Sequence, residues 1–139
     1  MRQLSDIVCR QNPVTLPATA TVKEACRSMR TCRVGAVLVV AEDGSLKGIF
    51  TGRDAVCRVL AEGKSAAKTR LSEVMTQNPS TMPPGKTALE ALRLMWDGGF
   101  RHVPLVEAGK VAGVVSRGDF KGFEQDRFDE ERQIWEHMR

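Results

Sequence analysis

Apolar positions along the chain switch between two periods, and the whole pattern occurs twice. Val22, Ala25, Cys26 and Met29 are spaced three and four apart, the signature of one apolar helical face. Residues 34–40 then form a short, continuous apolar run rich in β-branched side chains, which predicts a buried strand. Glu42-Asp43-Gly44-Ser45 supplies an Asp-Gly hairpin turn into a second strand over 46–50. Ala55, Val56, Val59 and Leu60 mark a closing helix that stops near Gly63. In the second half Ala88, Ala91, Leu92 and Met95 repeat the helical face, residues 100–106 the strand, and Ala108-Gly109-Lys110 the turn. Each half predicts a strand, a helix, two strands and a helix.

The residues repeat as well as the pattern. Leu4-Ser5-Asp6-Ile7-Val8 returns as Leu71-Ser72-Glu73-Val74-Met75, and Asn12-Pro13-Val14-Thr15-Leu16-Pro17 as Asn78-Pro79-Ser80-Thr81-Met82-Pro83. Thr21, Glu24, Ala25, Arg27 and Met29 reappear at one constant spacing as Thr87, Glu90, Ala91, Arg93 and Met95. Gly48-Ile49-Phe50-Thr51-Gly52-Arg53-Asp54 has its counterpart in Gly113-Val114-Val115-Ser116-Arg117-Gly118-Asp119. One unit is too small to cover its own sheet, so the two should share a core across a pseudo-twofold axis. The expected class is α+β: two β-α-β-β-α repeats packed sheet to sheet with helices outside, plus a C-terminal helix. The expected boundaries are 1–64, 65–121 and a tail, 122–139. The axis also creates two related clefts where strand ends meet helix N-termini, places that favour small polar ligands.

Composition narrows this picture only a little. The hydrophobic share of 42% and charged share of 27% are those of a globular chain. No apolar run approaches a membrane span and the start lacks a signal peptide's apolar core, so a cytoplasmic location is expected, without a membrane partner. The net charge of +4 would suit an anionic partner. Lys64, Lys68 and Arg70 cluster without interleaved aromatics and read as a solvated linker, so nucleic acid is not the expected partner. Cys9, Cys26, Cys32 and Cys57 form neither a CxxC pair nor a disulfide framework and are expected to be reduced, mostly buried small residues.

Several motifs carry two readings. Thr51-x-x-Asp54 and Ser116-x-x-Asp119 stand where a strand passes into a helix, so they suit a capping box. The same atoms suit a ligand: the hydroxyl and free N–H groups can receive a phosphate, and the carboxylate can accept from ribose hydroxyls. Thr21 with Glu24 and Thr87 with Glu90 read as plain capping boxes. Pro83-Pro84-Gly85-Lys86-Thr87 lacks the earlier glycine of a phosphate-binding loop, because that place is Ser80. Arg101-His102 precedes the second copy's central strand, either as a strand end or as a pair of phosphate donors. The first copy has Gly35-Ala36 there, which predicts clefts of unequal charge, the second copy's being the more basic.

Together Asn12-Pro13-Val14-Thr15, the helix opening near Thr21, Val37-Leu38-Val39-Val40, Gly48-Ile49-Phe50-Thr51-x-x-Asp54 and their second-copy counterparts resemble paired cystathionine-β-synthase-type domains, the CBS pair or Bateman module. The resemblance runs from Leu4 to about Phe120. It implies a regulatory module that binds AMP, ADP or ATP between the repeats, with S-adenosylmethionine and NAD as further candidates and no cofactor required. It implies that Asp54 and Asp119 hold ribose hydroxyls, that Thr51 and Ser116 lie near ribose or phosphate, and that Arg101 and His102 face phosphates. The segments around Thr15 and Thr81 would line the adenine pocket, and Val37, Arg53, Val103, Pro104 and Arg117 join the nucleotide-binding set. A homodimer and a regulated partner protein are implied too, since no effector domain is read in the sequence. The alternative is a docking or dimerisation module with vestigial clefts, and Asp119→Ala is the variant expected to separate the two. An enzyme is not expected, because no acid, base, nucleophile or metal cluster stands out.

From residue 120 onward the pattern changes to dense charge with spaced Phe123, Phe128, Ile134, Trp135 and Met138. Acidic Asp126, Asp129, Glu130 and Glu131 precede Arg132, His137 and Arg139, the order a helix dipole favours. An extra helix is expected, lying across its own module or serving as a dimer arm.

Overall fold

The computed structural model of the chain describes residues 2–137. The first unit runs α1 (Leu4–Val8), β1 (Thr15–Leu16), α2 (Val22–Cys32), β2 (Ala36–Val40), β3 (Leu46–Thr51) and α3 (Gly52–Asp54), which continues as a π-helix over Ala55–Leu60. The second runs α4 (Leu71–Val74), β4 (Thr76–Gln77), α5 (Ala88–Gly98), β5 (His102–Glu107) and β6 (Lys110–Ser116). A 3-10 turn, Arg117–Asp119, then leads into α6 (Gly122–His137). Met138, assigned to the tail's apolar pattern, and Arg139 lie outside the described residues.

Alternation along the strands explains the layers. Val37 and Val39 of β2 face α2 and the π-helix, in a core with Ala25, Met29, Phe50 and Val59. Ala36 and Leu38 point the other way and meet Ile49, Val111 and Val114, the apolar seam between the two sheets. A strand buried on both faces must read as an unbroken apolar run. Val103, Leu105 and Val115 pack with Ala91 and Met95 in the corresponding core of the second unit.

The leading segment of each copy is exchanged. Leu4 and Val8 belong to the second unit's core, and Leu71 and Val74 to the first unit's. Matching hydrogen bonds hold them: Leu4 N–H donates to Lys86 O at 2.8 Å and Ala88 N–H to Arg2 O at 3.0 Å, while Leu71 N–H donates to Ala20 O and Val22 N–H to Thr69 O, both at 2.9 Å. The strands of the two copies match less well. In the first unit Leu38 N–H donates to Val14 O and β1 joins the sheet in parallel. Its counterpart Pro104 has no N–H to give, so Met82 forms only an isolated parallel bridge with Leu105. The sheets therefore have four strands, in the order β1-β2-β3-β4, and two, β5-β6.

The capping boxes read at Thr21 and Thr87 are present, with Glu24 N–H donating to Thr21 Oγ1 at 3.2 Å and Glu90 N–H to Thr87 Oγ1 at 3.3 Å. The C-terminal helix lies on α5 of its own chain. Phe128 sits edge-on between Trp96 and Trp135, with centroids 6.3 and 6.2 Å away, while Arg132 covers the Trp96 ring and Arg93 the Trp135 ring. The helix closing the second unit and the helix of the tail are one continuous element, α6, rather than two in succession.

The cysteine expectation needs correction. All four are free, but Cys9, Cys32 and Cys57 are exposed and Cys26 is half-buried. Cys9 caps the end of α1, Cys32 lies in the last turn of α2 and Cys57 is exposed on the π-helix, where it lines a cleft between the units, so only Cys26 borders a core, where burial pushes its thiol pKa up.

Candidate functional site

Where β3 passes into α3, the chain turns at Thr51. Thr51 N–H donates to Asp54 Oδ2 at 2.9 Å, its hydroxyl lies 3.1 Å from the same oxygen, and Asp54 N–H returns a bond to the hydroxyl at 3.3 Å. One carboxylate oxygen is thus committed to the cap. The other, Oδ1, faces Arg58 Nε at 3.5 Å, one helical turn on. Arg58 is in turn anchored, donating to Val74 O and Met75 O at 3.3 and 3.2 Å.

This box opens onto a cleft of about 830 Å³ whose far wall comes from the second unit. Arg101 and His102 stand there, with Phe100 beside them and the Asn78-Pro79-Ser80 segment closing one end. The sheets pack face to face, so the start of β5 comes against the start of β2: a Cβ on Gly35 would lie 3.1 Å from His102 Nε2. Hence Gly35 is where the neighbouring imidazole needs space. Arg53, Arg58 and Arg101 outnumber Asp54 as charged groups on the cleft wall. Burial holds His102 below the usual histidine range, with Arg101 pushing the same way and Asp119 opposing, so the imidazole is neutral in the unliganded cleft at neutral pH.

The predicted residues divide. Thr51, Arg53, Asp54, Arg101 and His102 meet in this one cleft. That alters the expected pairing, because Arg101 and His102 share a cleft with the first copy's Thr51 and Asp54, so the basic cleft is built from both copies. Ser116 is the cross-strand neighbour of His102, and its N–H donates to Asp119 Oδ2 at 2.7 Å, a box like that of Thr51 but outside this cleft, as is Arg117. Thr81 is exposed and adjoins the lining residue Ser80, whereas Thr15 is exposed on β1, paired with Leu38 away from the cleft. Val37 and Val103 are fully buried in the two helix-facing cores, and Pro104 is buried in β5, so none of these three lines it. Residues not singled out by sequence include Arg58, Phe100 and Asn78. Arg58 was legible as the i+4 partner of Asp54, and Asn78 as the first residue of the repeated Asn-Pro.

A family model for the CBS domain matches residues 4–60 and 71–125. The chain belongs to the CBS domain family. Its two CBS domains are 43% identical over 102 residues to a CBS domain-containing protein of Arabidopsis thaliana, CBSCBSPB3, covering 73% of this chain and 18% of that one. The chain thus spans about a fifth of the length of CBSCBSPB3 and of its Arabidopsis counterpart CBSCBSPB1. A CBS domain protein from Pyrobaculum aerophilum, PAE2072, solved in complex with AMP, has the same fold, with a TM-score of 0.82 at 24% identity over 93% of this chain and 99% of that one. The CBS domain pair of protein MJ0100, solved with 5'-methylthioadenosine and S-adenosylmethionine, superposes with a TM-score of 0.76 at 25% identity, covering 85% and 95%.

Proposed function

We propose that this CBS pair is a regulatory module that binds a phosphate-bearing adenosine nucleotide in the cleft between its two units and passes the occupancy on to a partner protein. The observation that carries this reading is the convergence of the Thr51–Asp54 box with Arg53, Arg58, Arg101 and His102 around one space of ligand size. Asp54 Oδ1 accepts from ribose hydroxyls once Arg58 shares it, and Arg101 and His102 take the phosphate. MJ0100 binds S-adenosylmethionine, a sulfonium cation. Three guanidinium groups against one carboxylate favour the opposite charge here. Binding can regulate only through different affinity for two packings of the units, and a ligand held by both walls of the cleft has that property.

Titration calorimetry with AMP, adenosine and S-adenosylmethionine tests the reading. AMP should bind more tightly than adenosine by at least tenfold, S-adenosylmethionine should bind more weakly than AMP, and Arg101→Ala should erase the advantage of AMP over adenosine. Equal binding of AMP and adenosine would overturn the phosphate assignment.

The pH dependence follows from His102. Its folded pKa is lowered, so the unliganded protein should lose stability as pH falls below the ordinary histidine value of 6.5, where the unfolded chain takes up the proton first. A bound phosphate reverses this preference by favouring the imidazolium. AMP affinity should therefore rise from pH 7.5 to pH 6, and His102→Asn should flatten that rise in calorimetric titrations.

A further inference from the structure

Arg58 stands between the cleft and the exchanged leading segment of the second copy. Its Nε lies 3.5 Å from Asp54 Oδ1, while its Nη1 donates to Val74 O at 3.3 Å and to Met75 O at 3.2 Å. Those carbonyls end α4, a helix of four residues, and the last C=O groups of a helix have no partner within it. The guanidinium is thus divided among three acceptors drawn from both copies, each contact longer than the roughly 2.7–2.9 Å of a strong charge-assisted bond. The side chain is half-exposed, which leaves it room to move between them. Beyond Met75 the chain pairs with β3 for only the two residues of β4, then bends at Asn78, whose φ of +48° is left-handed, into Pro79 and Ser80. Thr76, Asn78, Pro79 and Ser80 all line the cleft, so Arg58 holds the start of one of its walls. In the second copy the residue four places after Asp119 is the exposed Phe123, and the Ser116–Asp119 box has no cation in the equivalent place.

We propose that Arg58 is a positioning residue that carries cleft occupancy from the Asp54 carboxylate of the first copy to the 75–80 segment of the second. This role presupposes a nucleotide in the cleft and adds how its presence is passed on. Ribose hydroxyls that donate to Asp54 Oδ1 take up acceptor capacity that the empty cleft leaves to Arg58. The guanidinium then turns toward Val74 O and Met75 O, and the segment beyond them is held more firmly against the cleft. A nucleotide without those hydroxyls fills the same space but leaves Arg58 divided. Because the carboxylate and the segment belong to different copies, the change bears on how the two units pack, the difference in affinity that regulation requires.

Amide hydrogen exchange of the full chain, followed by NMR at single residues, tests the coupling in the unmodified protein, Arg58→Ala and Arg58→Lys. Met75 N–H donates to Leu71 O at 2.8 Å and Asn78 N–H to Lys47 O at 3.3 Å, so both report on the segment. Val106 N–H, which donates to Met82 O at 3.0 Å in the second unit, reports on the rest of the fold. Without ligand, Arg58→Ala should speed exchange at Met75 and Asn78 by roughly tenfold but not at Val106, and Arg58→Lys, which keeps the charge and loses the fork, by less. At saturation AMP should slow exchange at Met75 and Asn78 several-fold more than 2',3'-dideoxy-AMP does, and Arg58→Ala should abolish that difference while still binding AMP. With both nucleotides bound, a difference that is missing from the unmodified protein or survives in Arg58→Ala would overturn the coupling and leave nucleotide binding standing. Unchanged exchange in ligand-free Arg58→Ala, or equal acceleration at all three amides, would overturn it as well. An unmodified protein that binds no AMP would overturn nucleotide binding and the coupling together.

Discussion

Replacing Arg2 with alanine should destabilise the fold by about 3 kcal/mol, the low end for breaking a buried ion pair. Glu124 is completely buried at the start of α6, and Arg2 reaches it from the opposite end of the chain: Nη2 lies 2.7 Å from Oε1 and Nε 3.2 Å from Oε2. Arg2 also donates to Asp119 O at 3.1 Å, and Lys121 N–H donates to Glu124 Oε1 at 2.8 Å. Removing the guanidinium strands a carboxylate away from water, and that loss is larger than the net worth of the pair. The low end applies because the arginine side chain keeps 26% of its exposure. Glu124→Gln should cost less, since the charge left behind is the Arg2 guanidinium, which keeps part of its contact with water, and an Arg2→Met/Glu124→Leu double variant should recover much of the loss. Urea unfolding of the four proteins ranks these losses.

The same pair gives the acid limb of stability a sign. Arg2 foremost holds the Glu124 carboxyl below its ordinary 4.5. The stabilisation from this depressed pKa is present above the ordinary value and lost as pH falls through the folded one. Between pH 5 and pH 3 the unmodified protein should therefore lose stability more steeply than Glu124→Gln.

Gly48→Ala should destabilise by about 2 kcal/mol, within the range for overpacking, and Gly113→Ala by somewhat less. These glycines occupy the same place in the two copies, each where the exchanged leading segment of the other copy crosses a strand. A Cβ on Gly48 would lie 2.7 Å from both Met75 Sδ and the carbonyl oxygen of Thr76, and the second of these is backbone in a paired strand that cannot swing aside. On Gly113 it would meet Val8 Cβ at 2.9 Å and Gln11 Oε1 at 3.0 Å. The Gln11 side chain there bonds both the N–H and the O of Val114, so it stands in for the strand that β4 provides in the first unit. Gly85→Ala, where a Cβ would meet nothing within 4 Å, serves as the control and should stay within about 0.5 kcal/mol. Thermal unfolding of the three variants gives the comparison.

Much of this architecture was legible along the chain. The helical faces, the hairpin turns and the Thr21 and Thr87 caps are local, set by residues three or four apart, and the repeat identified the pseudo-twofold directly. What was not legible depends on distance in sequence. Nothing near Arg2 points to Glu124, because a salt bridge across nearly the whole chain leaves no local pattern. The exchange of Leu4–Val8 and Leu71–Val74 is equally silent, since an apolar segment packs as well on one unit as on the other. For the cleft, the sequence identified the Thr51 box and Arg101-His102 separately. It placed the basic pair with its own copy because spacing carries no information about which wall faces which. That geometry moves the discriminating substitution from Asp119 to Asp54.

The most direct test of the central claim is thermal unfolding with and without AMP, for the unmodified protein, Asp54→Ala and Asp119→Ala. AMP at about 100 times its dissociation constant should stabilise the unmodified protein by roughly 2.7 kcal/mol, a rise of several degrees. Asp54→Ala should lose this rise while Asp119→Ala keeps most of it. No rise in the unmodified protein, or an undiminished rise in Asp54→Ala, would contradict nucleotide binding in the cleft between the two units.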